Sequence, residues 1–311
     1  MLGLTFTDYL PSIDDLINFM IGCDREGIAL VYPSMLRLRP ASSTFIEASF
    51  AVDCFFDLLA NDEVEVIMLG AGGLGSLKVI PLLRDRLLGE GYSMKPVCGM
   101  SDSGVILTAL SRMGFSCVYM PNALYDFDIT LKCFKELAKK KIDVWDYGWV
   151  AGMPFPCEGK GEVVPLHLSS CRGLIGHELV SLTKDIEASP VFFIEDGGIT
   201  TNGVPVETPM RVSYFLQALE HYRQAGIFNN AQGIVFGDVV NDVGGLVRKA
   251  IASLSEELKI PCISEVGFGH KVFNFPLPSG VSVSFTFESF YARFIFNNDE
   301  RIWSAFKKFK L

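Results

Sequence analysis

Three short segments place residues able to hydrolyse a bond just after apolar runs. Gly99-Met100-Ser101-Asp102, with Ser103 and Gly104 behind it, sets a serine among small neighbours. A serine held on a sharp turn at a strand's end presents its hydroxyl above the sheet, and the helix that follows aims N–H groups at it. The run is not a literal Gly-x-Ser-x-Gly, and a Gly-x-Ser-Asp turn taken alone is more often a helix N-cap. Phe193-Ile194-Glu195-Asp196-Gly197-Gly198 puts two carboxylates after a hydrophobic strand, and Gly267-Phe268-Gly269-His270 puts a glycine-flanked histidine after another. A nucleophilic serine needs a base, and the base needs a carboxylate to fix its tautomer, so each of the three roles has a candidate. A lone histidine is usually structural or exposed, and His167, His177 and His221, the last within a helix, read so.

A fourth segment, Gly70-Ala71-Gly72-Gly73-Leu74-Gly75, satisfies Gly-x-Gly-x-x-Gly between a strand and a helix. It reads as a dinucleotide loop, a structural tight turn, or a backbone pocket for an anion or oxyanion. The dinucleotide fingerprint belongs after the first strand, with an acidic residue about 20 positions on. Here the run follows the third strand and Glu90 falls in a turn, so no nucleotide cofactor is expected.

Composition narrows the classes further. A net charge of -9 and a pI near 5.0 disfavour nucleic acid and anionic membranes, which need clustered Lys and Arg. The basic run Lys307-Lys308-Phe309-Lys310 reads as the solvated face of a terminal helix. Although 49% of residues are hydrophobic, no run approaches the roughly 18 apolar residues of a spanning helix. No Lys or Arg precedes Arg25, unlike a secretory leader, which favours the cytoplasm. The cysteines, 8 in all, stand singly without a Cys-x-x-Cys pair, so reduced core thiols are expected and no metal site.

The elements that must position these residues follow a βαβ rhythm through the first 120 or so positions. Strands are expected at 2–6, 27–32, 64–69 and 95–98, with helices at 12–23, 43–61, 74–88 and 105–113. A charged helix at 129–141 precedes a segment dense in Trp145, Gly148, Trp149, Gly152, Pro154 and Pro156. Strands are then expected at 191–194, 233–236 and 261–264, with helices at 209–224 and 246–258. Val281–Phe287 alternates strictly and should be a half-exposed strand. The expected division is an N-terminal parallel-sheet domain of flavodoxin or Rossmann type (1–125), a linker (126–161) and a C-terminal α/β domain (162–311).

Taken in order, these segments resemble the LD-carboxypeptidase family of serine peptidases, which includes muramoyltetrapeptide carboxypeptidases and microcin C immunity proteins. The resemblance runs nearly the whole chain. It rests on Ile67 to Gly73, on Lys95-Pro96-Val97-Cys98-Gly99-Met100-Ser101-Asp102, and on Tyr119-Met120-Pro121-Asn122. In the second half it rests on Phe192 to Asp196 and on Ile260-Pro261 through Gly269-His270 to Leu277-Pro278-Ser279-Gly280. It implies Ser101 as nucleophile, Glu195 as orienting carboxylate, His270 as base, and an oxyanion hole from Gly72 or Gly73 with Asp102. It further implies an active site in the cleft between two domains, a homodimer, and metal-free release of a C-terminal D-amino acid from a murein peptide. The departures bear on substrate. Ala71 replaces an arginine usual in the muramoyl-peptide branch, Met100 replaces a tyrosine, and Met120 replaces a glycine. Met100, Tyr119 and Arg172 are the candidate substrate contacts, with Arg172 as a substitute cation. A peptidyl-nucleotide hydrolase and a binding protein that has lost catalysis are the alternatives.

Overall fold

The computed structural model describes residues 1–6, 13–33, 46–72, 75–89, 92–121, 127–151, 157–176, 189–197, 200–201, 204–205, 208–237, 239, 245–270, 275–288 and 290–309. It divides into two compact units, Met1–Lys140 with Pro276–Ser279 and Asn298–Leu311, and Lys141–Phe275 with Gly280–Asn297.

The first unit runs β1 (Leu2–Thr5), α1 (Ile13–Arg25), β2 (Leu30–Val31), α2 (Ala48–Ala60), β3 (Val66–Leu69), α3 (Ile80–Gly89), β4 (Val97–Gly99), α4 (Ser103–Arg112), β5 (Cys117–Tyr119) and α5 (Phe127–Leu137). The short runs β1, β3, β4 and β5 are buried along their whole length, as strands covered by helices on both faces must be. They are parallel in the order β5-β4-β3-β1-β2. Read from the other edge this is the flavodoxin-like order 2-1-3-4-5, which fits the α/β class expected from the rhythm of apolar runs. In α4, Ser103 to Leu110 are all buried, so this helix is a fixed platform behind β4.

The second unit contains β6 (Lys141–Tyr147), β7 (Trp149–Ala151), β8 (Cys157–His167), α6 (Leu168–Cys171), β9 (Pro190–Glu195), β10 (Thr200–Thr201), β11 (Val204–Pro205), α7 (Thr208–Gln224), β12 (Gly233–Phe236), α8 (Leu246–Leu258) and β13 (Cys262–Ser264). The chain then gives β14 (Leu277–Pro278) to the first sheet, antiparallel to β5. It adds β15 (Ser282–Phe287) and β16 (Tyr291–Asn297) to the second and ends in the first unit as α9 (Glu300–Lys307). The eight-stranded sheet has the order β6-β16-β15-β8-β9-β12-β13-β7. Strands β8, β9, β12 and β13 form a parallel centre, and antiparallel strands flank it. Its core is aromatic: Phe193 lies 5.7 Å from Phe268, 5.4 Å from Phe294 and 5.7 Å from Phe296, ring centre to ring centre.

The stretch 126–161, expected as a linker, carries α5, β6, β7 and the start of β8, and the unit boundary falls between Lys140 and Lys141. Its Trp, Gly and Pro content hides an alternation in which Ile142 is buried and its neighbours Lys141 and Asp143 are exposed. That strand exists because β16 pairs with it along its whole length, Tyr291 opposite Tyr147 and Asn297 opposite Lys141. Residues 152–156, with Gly152, Pro154 and Pro156, lie outside the described residues. The C-terminal helix also departs from the expected division, because Phe306 packs 5.2 Å from Phe134 of α5 in the first unit. The eight cysteines are free thiols and only Cys157 is not buried. Burial pushes the Cys23 and Cys262 thiols up to about 12, which leaves them unreactive. Among the described residues no helix is long and apolar enough to cross a membrane.

Candidate active site

Strand β4 ends at Gly99 and α4 begins at Ser103, so Met100, Ser101 and Asp102 make the turn between them. Ser101 has φ 63°. This left-handed backbone costs a residue with a side chain about 1–2 kcal/mol and collects at functional sites. A helix N-cap sits in the extended region, so the capping reading of Ser101 does not describe it. The turn is held from β5: the Ser101 N–H donates to the Tyr119 hydroxyl at 2.9 Å, and Tyr119 pairs with Gly99 across the sheet.

In the glycine run, Gly72 packs directly on this serine. A Cβ at Gly72 would lie 2.9 Å from Ser101 Cβ, 3.2 Å from its Oγ and 3.3 Å from the Asp102 nitrogen, so only glycine fits. Two hydrogen bonds fasten the run there. Buried Asp102 accepts the Ser76 N–H at 2.8 Å, and Ser103 Oγ donates to the Ala71 carbonyl at 2.9 Å. Gly73 lies outside the described residues. Met100 has no exposed surface, and Tyr119 is 2% exposed with its hydroxyl on the Ser101 backbone.

The second unit assembles the other candidates. Strand β9 is buried throughout between parallel β8 and β12, and Glu195 is its last residue, fully buried. Glu195 Oε2 accepts two hydrogen bonds at 2.8 Å, from the Gly197 N–H and from His270 Nδ1. With Nδ1 donating, the lone pair of the neutral ring is on Nε2, as a general base requires. Gly269, at φ 90°, delivers the imidazole, and a Cβ there would meet Glu195 Cβ at 2.8 Å. Arg172 lies in the helical turn after α6 and is exposed.

His167, which reads in the sequence as structural or exposed, lies beside Glu195. It ends β8 as Glu195 ends β9, and the two face each other in register. Its Nδ1 accepts the Ser170 N–H at 3.3 Å. Its Nε2 lies 3.4 Å from the Gly197 carbonyl and 3.9 Å from both Glu195 Oε1 and Asp196 Oδ1. Asp196 is also buried and accepts from Ser169 N–H at 3.1 Å and Ser169 Oγ at 2.9 Å. Burial holds the Asp196 carboxyl above its usual range, opposed by His167 and the Ser169 hydrogen bonds. The signal that could have found His167 is the one that found Glu195, a polar residue closing a buried apolar run.

The sequence pattern of the LD-carboxypeptidase N-terminal domain matches residues 39–120, and that of the LD-carboxypeptidase C-terminal domain matches residues 161–285. This chain belongs to the LD-carboxypeptidase family. Ser101 falls inside the first matched segment, and Glu195 and His270 fall inside the second. Among solved structures, a muramoyltetrapeptide carboxypeptidase from Oxalobacter formigenes is similar with a TM-score of 0.77 at 19% identity, covering 96% of this chain and 98% of that one. A MccF-like protein from Bacillus anthracis strain Ames has a TM-score of 0.77 at 17% identity, covering 94% and 95%. MccF in complex with glutamyl sulfamoyl guanosine has a TM-score of 0.76 at 15% identity, covering 96% of each chain. These likenesses establish the LD-carboxypeptidase fold for the chain. No curated protein matches its sequence.

His167, Glu195 and His270 of this family member bring possible metal-ligand atoms within 4.8 Å of one another. The donor set does not suit an ion. A metal on His167 Nε2 would move the ring proton to Nδ1, where the Ser170 N–H already points. Glu195 Oε2 is likewise committed to two N–H donors.

Proposed function

We propose that this LD-carboxypeptidase family member is an active serine peptidase that releases a C-terminal D-amino acid from an L-centre in murein peptides. The observation that carries the reading is Ser101 in the left-handed turn after β4, in contact with Gly72. In the proposed mechanism Ser101 Oγ attacks the carbonyl carbon of the scissile bond and its proton passes to His270 Nε2. Glu195, hydrogen-bonded to Nδ1, stabilises the imidazolium that forms. The N–H groups of Asp102 and of Gly72 or Gly73 meet the oxyanion. The C–N bond then breaks, the leaving amine takes the proton from His270, and an acyl-serine remains. Water, deprotonated by the same imidazole, hydrolyses that ester and restores Ser101. Arg172, exposed and cationic, is the candidate partner for a substrate carboxylate.

The test is to incubate the purified protein with a murein tetrapeptide and follow D-alanine by mass spectrometry. Release is expected for the native protein and a loss of about 10⁴-fold or more for Ser101→Ala. No release from either protein overturns the reading. A second reading, hydrolysis of a peptidyl or acyl-sulfamoyl nucleotide, is favoured by Ala71, which is buried and offers no cation. Complexes of MccF with glutamyl sulfamoyl guanosine and aspartyl sulfamoyl adenosine support it. Turnover of such a nucleotide without D-alanine release selects it. Cytoplasmic location and a homodimer complete the proposal, the latter checked by light scattering.

A further inference from the structure

Among the described residues, two histidines face Glu195. His270 takes Oε2 through Nδ1, while Oε1 faces the Nε2 of His167 at 3.9 Å. The two imidazoles are 5.8 Å apart, edge to face. His167 is 5% exposed, and Ser170 N–H on Nδ1 fixes the tautomer of its neutral ring, with the proton on Nε2. That N–H therefore points among three acceptors, the Gly197 carbonyl and the Glu195 and Asp196 carboxylates. The carboxylates are adjacent in sequence and neither has exposed surface. Two anions so placed repel each other and lose their hydration, which favours protonating one of them. A protonated Glu195 could not stabilise an imidazolium at His270. The fixed donor between the two carboxylates opposes that outcome.

We propose that His167 is a positioning residue for the Glu195–His270 pair: its Nε2–H, aimed by Ser170, keeps Glu195 anionic and turned towards His270. The role rests on the reading of His270 as base, and it extends that reading to a residue outside the triad. Other groups also set the local field. They are Asp196 just after β9, Cys171 and Arg172 from α6 and the turn after it, and Tyr222 from α7. The Tyr222 phenol donates to the Leu168 carbonyl at 3.1 Å, and burial raises it well above its usual value.

The chain contains 4 histidines, so the titration of His270 can be followed by NMR on the whole protein. His167→Phe removes the donor and keeps an aromatic ring. His167→Asn keeps a polar side chain too short to reach the carboxylates, and His167→Gln returns an N–H near the Nε2 position. Without the donor, protonation of Glu195 is favoured and its carboxylate stabilises the His270 imidazolium less. The His270 midpoint should fall by about 0.5 pH unit, roughly threefold in its proton affinity, in the Phe and Asn variants. His167→Gln should recover at least half of that. The acidic limb of Ser101 labelling by a fluorophosphonate should move down in parallel. An unchanged His270 midpoint in whichever loss variant folds overturns the proposal, as does misfolding of both. A native protein that never labels at Ser101 counts against the peptidase reading instead, and the NMR titration still decides the role of His167.

Discussion

Ser101 holds its backbone at φ 63° while Tyr119, Gly72 and the start of α4 surround it, so the neighbours maintain a conformation the residue itself disfavours. Strain of this kind offsets stability and persists where function needs the geometry. A glycine at this position would adopt the same backbone without the Cβ penalty. Ser101→Gly should therefore abolish fluorophosphonate labelling while raising unfolding free energy by about 1 kcal/mol, measured in urea. A fall in stability would show that the Ser101 side chain makes compensating contacts. The Glu195–His270 pair follows the same logic at Gly269, where the φ of 90° and the close approach of Glu195 leave room for no side chain.

Single elements explain motif residues that chemistry does not use. Lys95, part of the run that resembles the family pattern, sends its ammonium to the Leu58 carbonyl at 3.0 Å and to the Asn61 carbonyl, closing the end of α2. Burial lowers its pKa, and its work is to satisfy helix carbonyls. Lys95→Met should cost about 1–3 kcal/mol in urea unfolding and leave the pH profile of Ser101 labelling unchanged. At the end of β9, the Asp196 carboxyl is raised by burial, so the folded protein holds that proton at pH values where the unfolded chain has released it. The folded state binds more protons in that window, and this contribution to stability is lost as pH rises from the ordinary carboxyl range through the raised folded one. Asp196→Asn should remove a slope of up to about 1.4 kcal/mol per pH unit from the stability curve, read by urea titration at successive pH values.

On the scale of the whole molecule, chain order and spatial order part company. The first unit takes its last helix and an edge strand from the far end of the chain, Asn298–Leu311 and Pro276–Ser279. Helix α9 buries Ile302, Ala305 and Phe306, with Phe306 against Phe134. Deleting residues 298–311 should thus loosen the first unit before the second. Burial of Ile302 and Phe306 is worth several kcal/mol together, at about 2 kcal/mol for each side chain. Hydrogen exchange should quicken in α5 while β9 and β12 keep their protection. Equal loss of protection in both units would show that they unfold together.

Much of this was legible in the residues because it is locally encoded. Buried parallel strands read as apolar runs, amphipathic helices read as a 3.6 period, and the sharp turns at Ser101 and His270 carry glycines. The βαβ order of the first unit and the alternating strand β15 are both as expected; Ser101 lies in the turn after β4, while Glu195 is itself the last residue of β9. What needed the tertiary structure was pairing between distant segments. Strand β6 is defined by β16, α9 by the apolar face of α5, and His167 by the register of β8 on β9. Register is a property of two strands at once, set by hydrogen bonds and packing across the sheet. The residue types at positions 167 and 195 are written in the chain, but their meeting over one carboxylate was decided by the fold.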